Sequence, residues 1–256
     1  MSDSPLKVWL DRDGTLLRLR LAKPKANIVD AAMIGALESA LEEYRDTKDL
    51  RAVLLDHEGP HFSFGASVAE HMPDQCDDML KSLHSLVRSM INYPLPLLVS
   101  IKGQCLGGGL EVAAAGSMLF AAEDAKLGQP EIKLAVFAPA ASCLLPERIG
   151  QAKAEDLLLS GRSMGADEAL TNGLVDSVSE DPDVAALAYF DKYLAPNSAS
   201  TLRFAVLAAR NEYRQRVIIK LERVETLYLD ELMKTHDAVE GLTAFIEKRQ
   251  AKWENR

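Results

Sequence analysis

Leu106-Gly107-Gly108-Gly109-Leu110-Glu111, followed by Gly128-Gln129-Pro130-Glu131, is the part of this chain whose reading decides both fold and chemistry. An apolar run, Leu95–Ile101, leads into the first segment and predicts a buried strand. Three glycines then permit close backbone approach. An alanine-rich, helix-compatible run follows, with Glu111 in its first turns and no cationic residue near it in sequence. Glu131 comes after a proline, on an expected loop. Free N–H groups at a helix start suit developing negative charge. Two carboxyl groups beside them suit proton transfer. Together these features outline a site that stabilises an enolate.

Working outward, Val8–Leu10 and Leu16–Leu21 flank Arg12-Asp13-Gly14 and predict a hairpin. Residues 26–44 predict a helix capped at Asp30, with Met33, Leu37, Leu41 and Tyr44 on one face. Strands are expected at Arg51–Leu55, Met118–Ala122, around Leu127 and at Leu174–Val178, and helices at Leu80–Ile91, Ala152–Leu159 and Gly165–Leu170. This alternation is α/β, with repeated strand-strand-helix turns. After Pro196 the character changes. Asn197-Ser198 suits a helix cap, and residues 202–248 read as almost entirely helical. Val217, Leu221, Val224 and Tyr228 form an apolar stripe that needs cover from the core or from another subunit.

The chain has 256 residues, enough for one large domain or a domain with an appendage. Hydrophobic residues at 48% and charged residues at 26% are the balance of a soluble globular protein. A net charge of −9 argues against nucleic acid and anionic membranes as partners. Cys76, Cys105 and Cys143 have neither metal spacing nor a paired framework. With no signal-peptide pattern in residues 1–10 and no long apolar run, the expected location is the cytoplasm.

Several separate segments carry a resemblance. Pro24-Lys25-Ala26-Asn27, His61-Phe62-Ser63-Phe64-Gly65-Ala66, Gly107-Gly108-Gly109-Leu110-Glu111 and Gly128-Gln129-Pro130-Glu131-Ile132 resemble, in order, motifs of the crotonase superfamily. Gly161-Arg162, Gly173-Leu174-Val175 and the segment from Asp237 to Arg249 match its later part. The resemblance implies a stacked ββα superhelix over residues 1–196 and a helical trimerisation region over residues 197–256. It implies an acyl-CoA thioester as substrate, a homo-oligomer (trimer or dimer of trimers), and no cofactor beyond the coenzyme A of the substrate. By the same resemblance Glu111 and Glu131 are catalytic. Glu111 deprotonates water, and Glu131 shares that water and delivers a proton to carbon. The backbone N–H groups of Phe64 and Gly108 form the oxyanion hole, a role in which a Phe side chain need not take part. Lys25, Ala26, Ser63, Ala66 and Lys248 are the expected coenzyme A contacts. No metal is expected.

Two segments depart from the ordinary hydratase pattern. Ser67 stands where those enzymes often carry Asp, and residues 135–142 replace a glycine-rich loop. The replacement is expected to be a stiffer loop, because proline fixes φ. Phe137 and Pro139 then line a flat acyl pocket. Residues 62–68 and 137–142 resemble the cyclohexa-1,5-diene-1-carbonyl-CoA hydratases of anaerobic benzoyl-CoA degradation. That resemblance implies 1,4-addition of water to a ring diene, giving 6-hydroxycyclohex-1-ene-1-carbonyl-CoA. The alternatives are a general enoyl-CoA hydratase/isomerase of straight chains and a non-catalytic binding protein on the same fold.

Other polar residues have plainer readings. His57, His61 and His71 lack zinc spacing and read as surface or rim residues. Ser63, Ser67 and Ser142 lack a nucleophile-elbow context. Cys105 and Cys143 read as small buried fillers.

Overall fold

The computed structural model describes residues 4–23 and 25–256. The hairpin forms as read: β1 (Leu6–Asp11) pairs antiparallel with β2 (Leu16–Leu21). Arg12, Asp13 and Gly14 turn through positive φ between them. α1 (Ala31–Tyr44) starts later than the apolar period predicts. The Asp30 carboxylate accepts from the Met33 N–H at 3.0 Å and caps the helix there. Lys25 and Asn27, at φ 94° and 43°, hold the preceding segment out of helix.

Parallel strands then alternate with helices: β3 (Ala52–His57), α2 (Cys76–Ile91), β4 (Leu97–Ile101), β5 (Gln104–Leu106), α3 (Gly108–Ala114), β6 (Met118–Ala122) and β7 (Lys126–Gly128). α4 (Pro139–Ile149), α5 (Gln151–Ser160), β8 (Ser163–Gly165), α6 (Ala166–Asn172), β9 (Ser177–Ser179) and α7 (Pro182–Tyr189) follow. The tail is α8 (Ala199–Thr226) and α9 (His236–Ile246). One sheet runs β1-β2-β3-β4-β6-β9, and a smaller one runs β5-β7-β8. Two ββα turns, β4-β5-α3 and β6-β7-α4, each place one strand in each sheet and then a helix.

The central strands read as continuous apolar runs because both sheet faces are covered. Val53, Leu55, Leu97 and Val99 join the main core, whereas Leu16, Leu54, Leu98 and Phe120 pack with Ala186 and Phe190 on the other face. The residues expected to form a loop, 135–142, divide in the structure. Ala138 ends the irregular part, and Pro139 is the first residue of α4, where its missing N–H costs nothing.

The tail is almost entirely helical, as read, but it is not a single helix. A π-helical turn at Leu227–Glu231 and a 3-10 turn at Leu232–Lys234 end the long run, and Thr235 caps α9. Val217 and Leu221 enter the main core, while Tyr228 packs with Val136 and Phe137. Gly241, which reads as a helix breaker, lies inside α9. A Cβ there would fall on the main-chain carbonyl of Leu134 and lie 3.2 Å from Trp253. Among the described residues, no helix is long and apolar enough to cross a membrane.

Gly241→Ala tests that packing. Alanine gains roughly 1 kcal/mol of helix propensity, but overlap in a packed region costs about 1–3 kcal/mol. The backbone carbonyl cannot rotate away as a side chain can, so the variant should unfold at lower urea concentration than the parent. An unchanged or higher midpoint would show that α9 slides freely.

Candidate active site

β5 delivers the chain to Gly107, which takes φ 52° and ψ −130° before α3 begins. A side chain at Gly107 would be strained by that φ and would strike Glu131 Oε1. One at Gly109 would lie 2.5 Å from Ser63 Cβ. The glycines therefore let two other segments press against the start of α3. One of these is the loop at 63–66. Its Ser63 N–H donates to Gln104 O at 3.0 Å and its Phe64 N–H to Ala26 O at 2.9 Å. The Gly65 N–H donates to Ser63 Oγ at 3.0 Å.

These bonds correct two expectations. The Phe64 N–H already has an acceptor, so it is not available to a substrate oxygen. Ser63 is fully buried and its hydroxyl holds the loop, so its side chain is not a coenzyme A contact. Among the described residues, no protein acceptor takes the N–H of Ala66 or of Gly108. The two are adjacent: a Cβ placed on Gly108 would lie 3.1 Å from Ala66 N. Ala66, expected as a coenzyme A contact, thus supplies the free N–H that the sequence reading assigned to Phe64.

Glu111, one helical turn along α3, is buried. Its Oε1 accepts from the Ala141 N–H at 2.8 Å, in the first turn of α4. Burial pushes its pKa up to about 7, against the opposing pull of the Ala141 and Ala140 N–H groups. Glu131 stands on a 3-10 turn that Pro130 opens and Ala135, at φ 56°, closes. Burial first, and then the charge of Glu111, push Glu131 up to about 8. Gln129 is buried behind it, and with the amide nitrogen facing Glu131 it donates to both carboxylate oxygens, at 2.9 and 3.2 Å. Two carboxyls that hinder each other's ionisation readily share one proton near neutral pH, one acting as base and the other as acid.

Glu111, Glu131, Ala66 and Gly108 line one cavity of 320 Å³. Its remaining wall is mostly apolar. Phe137 and Pro139 lie on it as expected, joined by Val68, Leu80, Leu83 and Val136. Phe137 meets Tyr228 edge to face, with centroids 5.1 Å apart. Leu242 and Phe245 close the cavity from α9. Lys25 and Lys248 are exposed and lie outside the lining, and Ala26 is half-buried with its carbonyl on Phe64. Pro24, part of the first resembling motif, lies outside the described residues.

Sequence reasoning missed several wall residues. Leu80 and Leu83 carry an ordinary amphipathic signal, because the helix face that meets the core also meets the cavity. His71 lines the cavity rather than a surface rim. His57 is an interior residue whose Nε2 accepts from the Lys102 N–H at 3.1 Å. Cys105 and Cys143 are buried, as read. Among the described residues, no three His, Cys, Asp or Glu side chains gather as a metal site would require.

The sequence profile described as enoyl-CoA hydratase/isomerase matches residues 11–256. The chain belongs to the enoyl-CoA hydratase/isomerase family. Within it, cyclohexa-1,5-dienecarbonyl-CoA hydratase of Thauera aromatica is 68% identical over 255 residues, covering 100% of this chain and 99% of that protein. Carnitinyl-CoA dehydratase of Escherichia coli K12 is 28% identical over 269 residues, with full coverage of both chains at 100%. Among solved structures, an enoyl-CoA hydratase from Mycobacterium avium superposes with a TM-score of 0.87 at 24% identity, covering 98% of this chain and 99% of that one. An enoyl-CoA hydratase/isomerase from Pseudoalteromonas atlantica T6c gives 0.82 at 27% identity, with 97% and 99% covered. The family fold is therefore present from end to end.

The buried carboxyls predict a pH effect on stability. Each is raised above the ordinary 4.5, so the folded protein keeps its proton to higher pH than the unfolded chain does. Stability linked to them is full below pH 4.5 and is lost as pH rises toward about 8. Glu131→Gln cannot ionise, so its melting temperature should gain on the parent between about pH 5 and about pH 9. A difference that stays constant across that range would contradict the burial of Glu131.

Proposed function

We propose that this protein hydrates cyclohexa-1,5-diene-1-carbonyl-CoA by 1,4-addition, giving 6-hydroxycyclohex-1-ene-1-carbonyl-CoA. One observation carries the acyl group: the full-length 68% identity to the Thauera aromatica hydratase. The chemistry follows from the cavity. The N–H groups of Ala66 and Gly108 hold the thioester oxygen. Glu111 and Glu131 hold a water between them, and ionised Glu111 takes its proton as oxygen attacks the ring carbon β to the thioester.

Electrons then move onto the thioester oxygen, where fixed donors in a dry site stabilise them. Each such donor is worth roughly 3–4 kcal/mol of transition-state stabilisation. The second alkene spreads the charge into a dienolate, which is protonated at the remote γ-carbon. Substrate, water and protein side chains account for every proton and electron pair. The reading therefore requires no cofactor beyond the coenzyme A that the substrate carries. Phe137 and Pro139 supply a flat, stiff wall suited to a ring. Lys25 and Lys248, both exposed, remain available to the phosphates of coenzyme A, and a cytoplasmic location suits an acyl-CoA substrate.

We also propose a trimer or a dimer of trimers built on residues 197–256. Phe204 and Ile219 are 69% and 51% exposed on α8, large apolar surfaces for a helix in water. Light scattering at micromolar concentration should give three or six chains. A stable monomer would count against this.

For the reaction, kcat/KM should be much higher with the cyclic dienoyl-CoA than with crotonyl-CoA. A preference for crotonyl-CoA would return the protein to the straight-chain hydratases. Glu111→Gln and Glu131→Gln should each fold and lose about 100-fold or more in turnover. Near-normal turnover by either variant would remove the two-carboxyl mechanism.

A further inference from the structure

Besides Glu111 and Glu131, the titratable side chains on the cavity wall are His71 and Lys133. Lys133 is exposed, whereas His71 sits on the 3-10 turn Ala69–His71, with Val68, Leu80 and Leu83 on the same wall. Its Nδ1 lies 2.7 Å from the Ser67 carbonyl oxygen. A carbonyl only accepts, so Nδ1 carries the proton and Nε2 holds the lone pair. Among the described residues, no protein group bonds Nε2. An imidazole oriented through one nitrogen, with the other free and the ring on a catalytic cavity, has the arrangement of a general acid and base.

In the proposed reaction the two glutamates hold one water, and that water attacks the β-carbon. In a six-membered ring, the γ-carbon of the diene lies at the opposite corner from that β-carbon. A second proton carrier lining the same cavity can meet this requirement without moving the ring or Glu131. We propose that His71 is a catalytic residue that carries the proton to and from the γ-carbon, while Glu111 and Glu131 act on the water. The inference rests on the cyclic dienoyl-CoA reading above.

The steps balance. In hydration, the water oxygen bonds to the β-carbon and its proton passes to Glu111. The α,β electron pair moves toward the thioester oxygen. The dienolate then uses a pair to bond the proton from Nε2 of the His71 imidazolium, which becomes neutral imidazole. Glu111 returns its proton to solvent, and His71 takes one from solvent. In dehydration, neutral Nε2 removes the γ-proton and protonated Glu111 assists the departing hydroxyl. Burial holds His71 below its ordinary pKa, against the pull of the Ser67 carbonyl, which makes the imidazolium a stronger acid toward the dienolate in hydration and favours the neutral ring in dehydration.

The test is hydration of cyclohexa-1,5-diene-1-carbonyl-CoA in deuterated water by wild type, His71→Gln and His71→Asn, with the label located by NMR. Wild type should place deuterium at the γ-carbon. Each variant should lose about 100-fold in kcat, with KM within about threefold. Its residual turnover should shift toward the α-protonated isomer, 6-hydroxycyclohex-2-ene-1-carbonyl-CoA, with the label at the α-carbon. A purely structural role for His71 would slow the reaction without moving the label. Wild-type hydration of the ring with γ-label and turnover retained in either folded variant would overturn the role of His71 and leave the ring reading intact. Failure of wild type to hydrate the ring while it hydrates crotonyl-CoA would overturn that reading, and the role of His71 with it.

Discussion

The carboxyl of Glu111 is buried, and among the described residues main-chain N–H groups rather than a cation hold its charge. Much of the site follows from that constraint. A buried carboxylate without donors is expensive, and N–H groups at a helix start offset only part of the cost. α4 must therefore begin where its first turn meets α3. Pro139 sets that start and also forms cavity wall. The residues that shape the cavity are thus the ones that present donors to the acid, so cavity shape and acid strength are not independent.

The glycines impose the matching constraint from the other side. Gly107 leaves room for Glu131, and Gly109 leaves room for Ser63. With those approaches permitted, the loop at 63–66 is strapped by its own backbone to Ala26 and Gln104. The N–H groups of Ala66 and Gly108 remain side by side, with no protein acceptor among the described residues. Donors fixed in this way need no rearrangement as charge arrives, which is where most of their value in catalysis lies.

The tail belongs to the same problem. The π-helical turn at Leu227–Glu231 redirects the chain while Tyr228 remains against Phe137, and α9 then brings Leu242 and Phe245 onto the cavity. Gly241 allows α9 to lie directly on the Leu134 carbonyl. A segment whose composition suggests only assembly therefore completes the wall of the cavity.

The α/β alternation, the Asp30 cap, the hairpin at Asp13-Gly14 and the pairing of Glu111 with Glu131 were all legible in the residue order. Each depends on local period, turn chemistry or motif spacing. The break after Thr226 was not, because packing against distant segments sets it. The free N–H was misassigned to Phe64 for a similar reason. Which backbone donors are already occupied depends on acceptors such as Ala26, far away in the chain. His71 carries no signal in its spacing, and only the fold brings it to the cavity that holds the two glutamates. Sequence by itself determined which chemical groups the chain carries and which segments hold them. Tertiary structure decided which groups lose their water and which donors stay unpaired, because burial and hydrogen bonding are settled among residues remote in sequence.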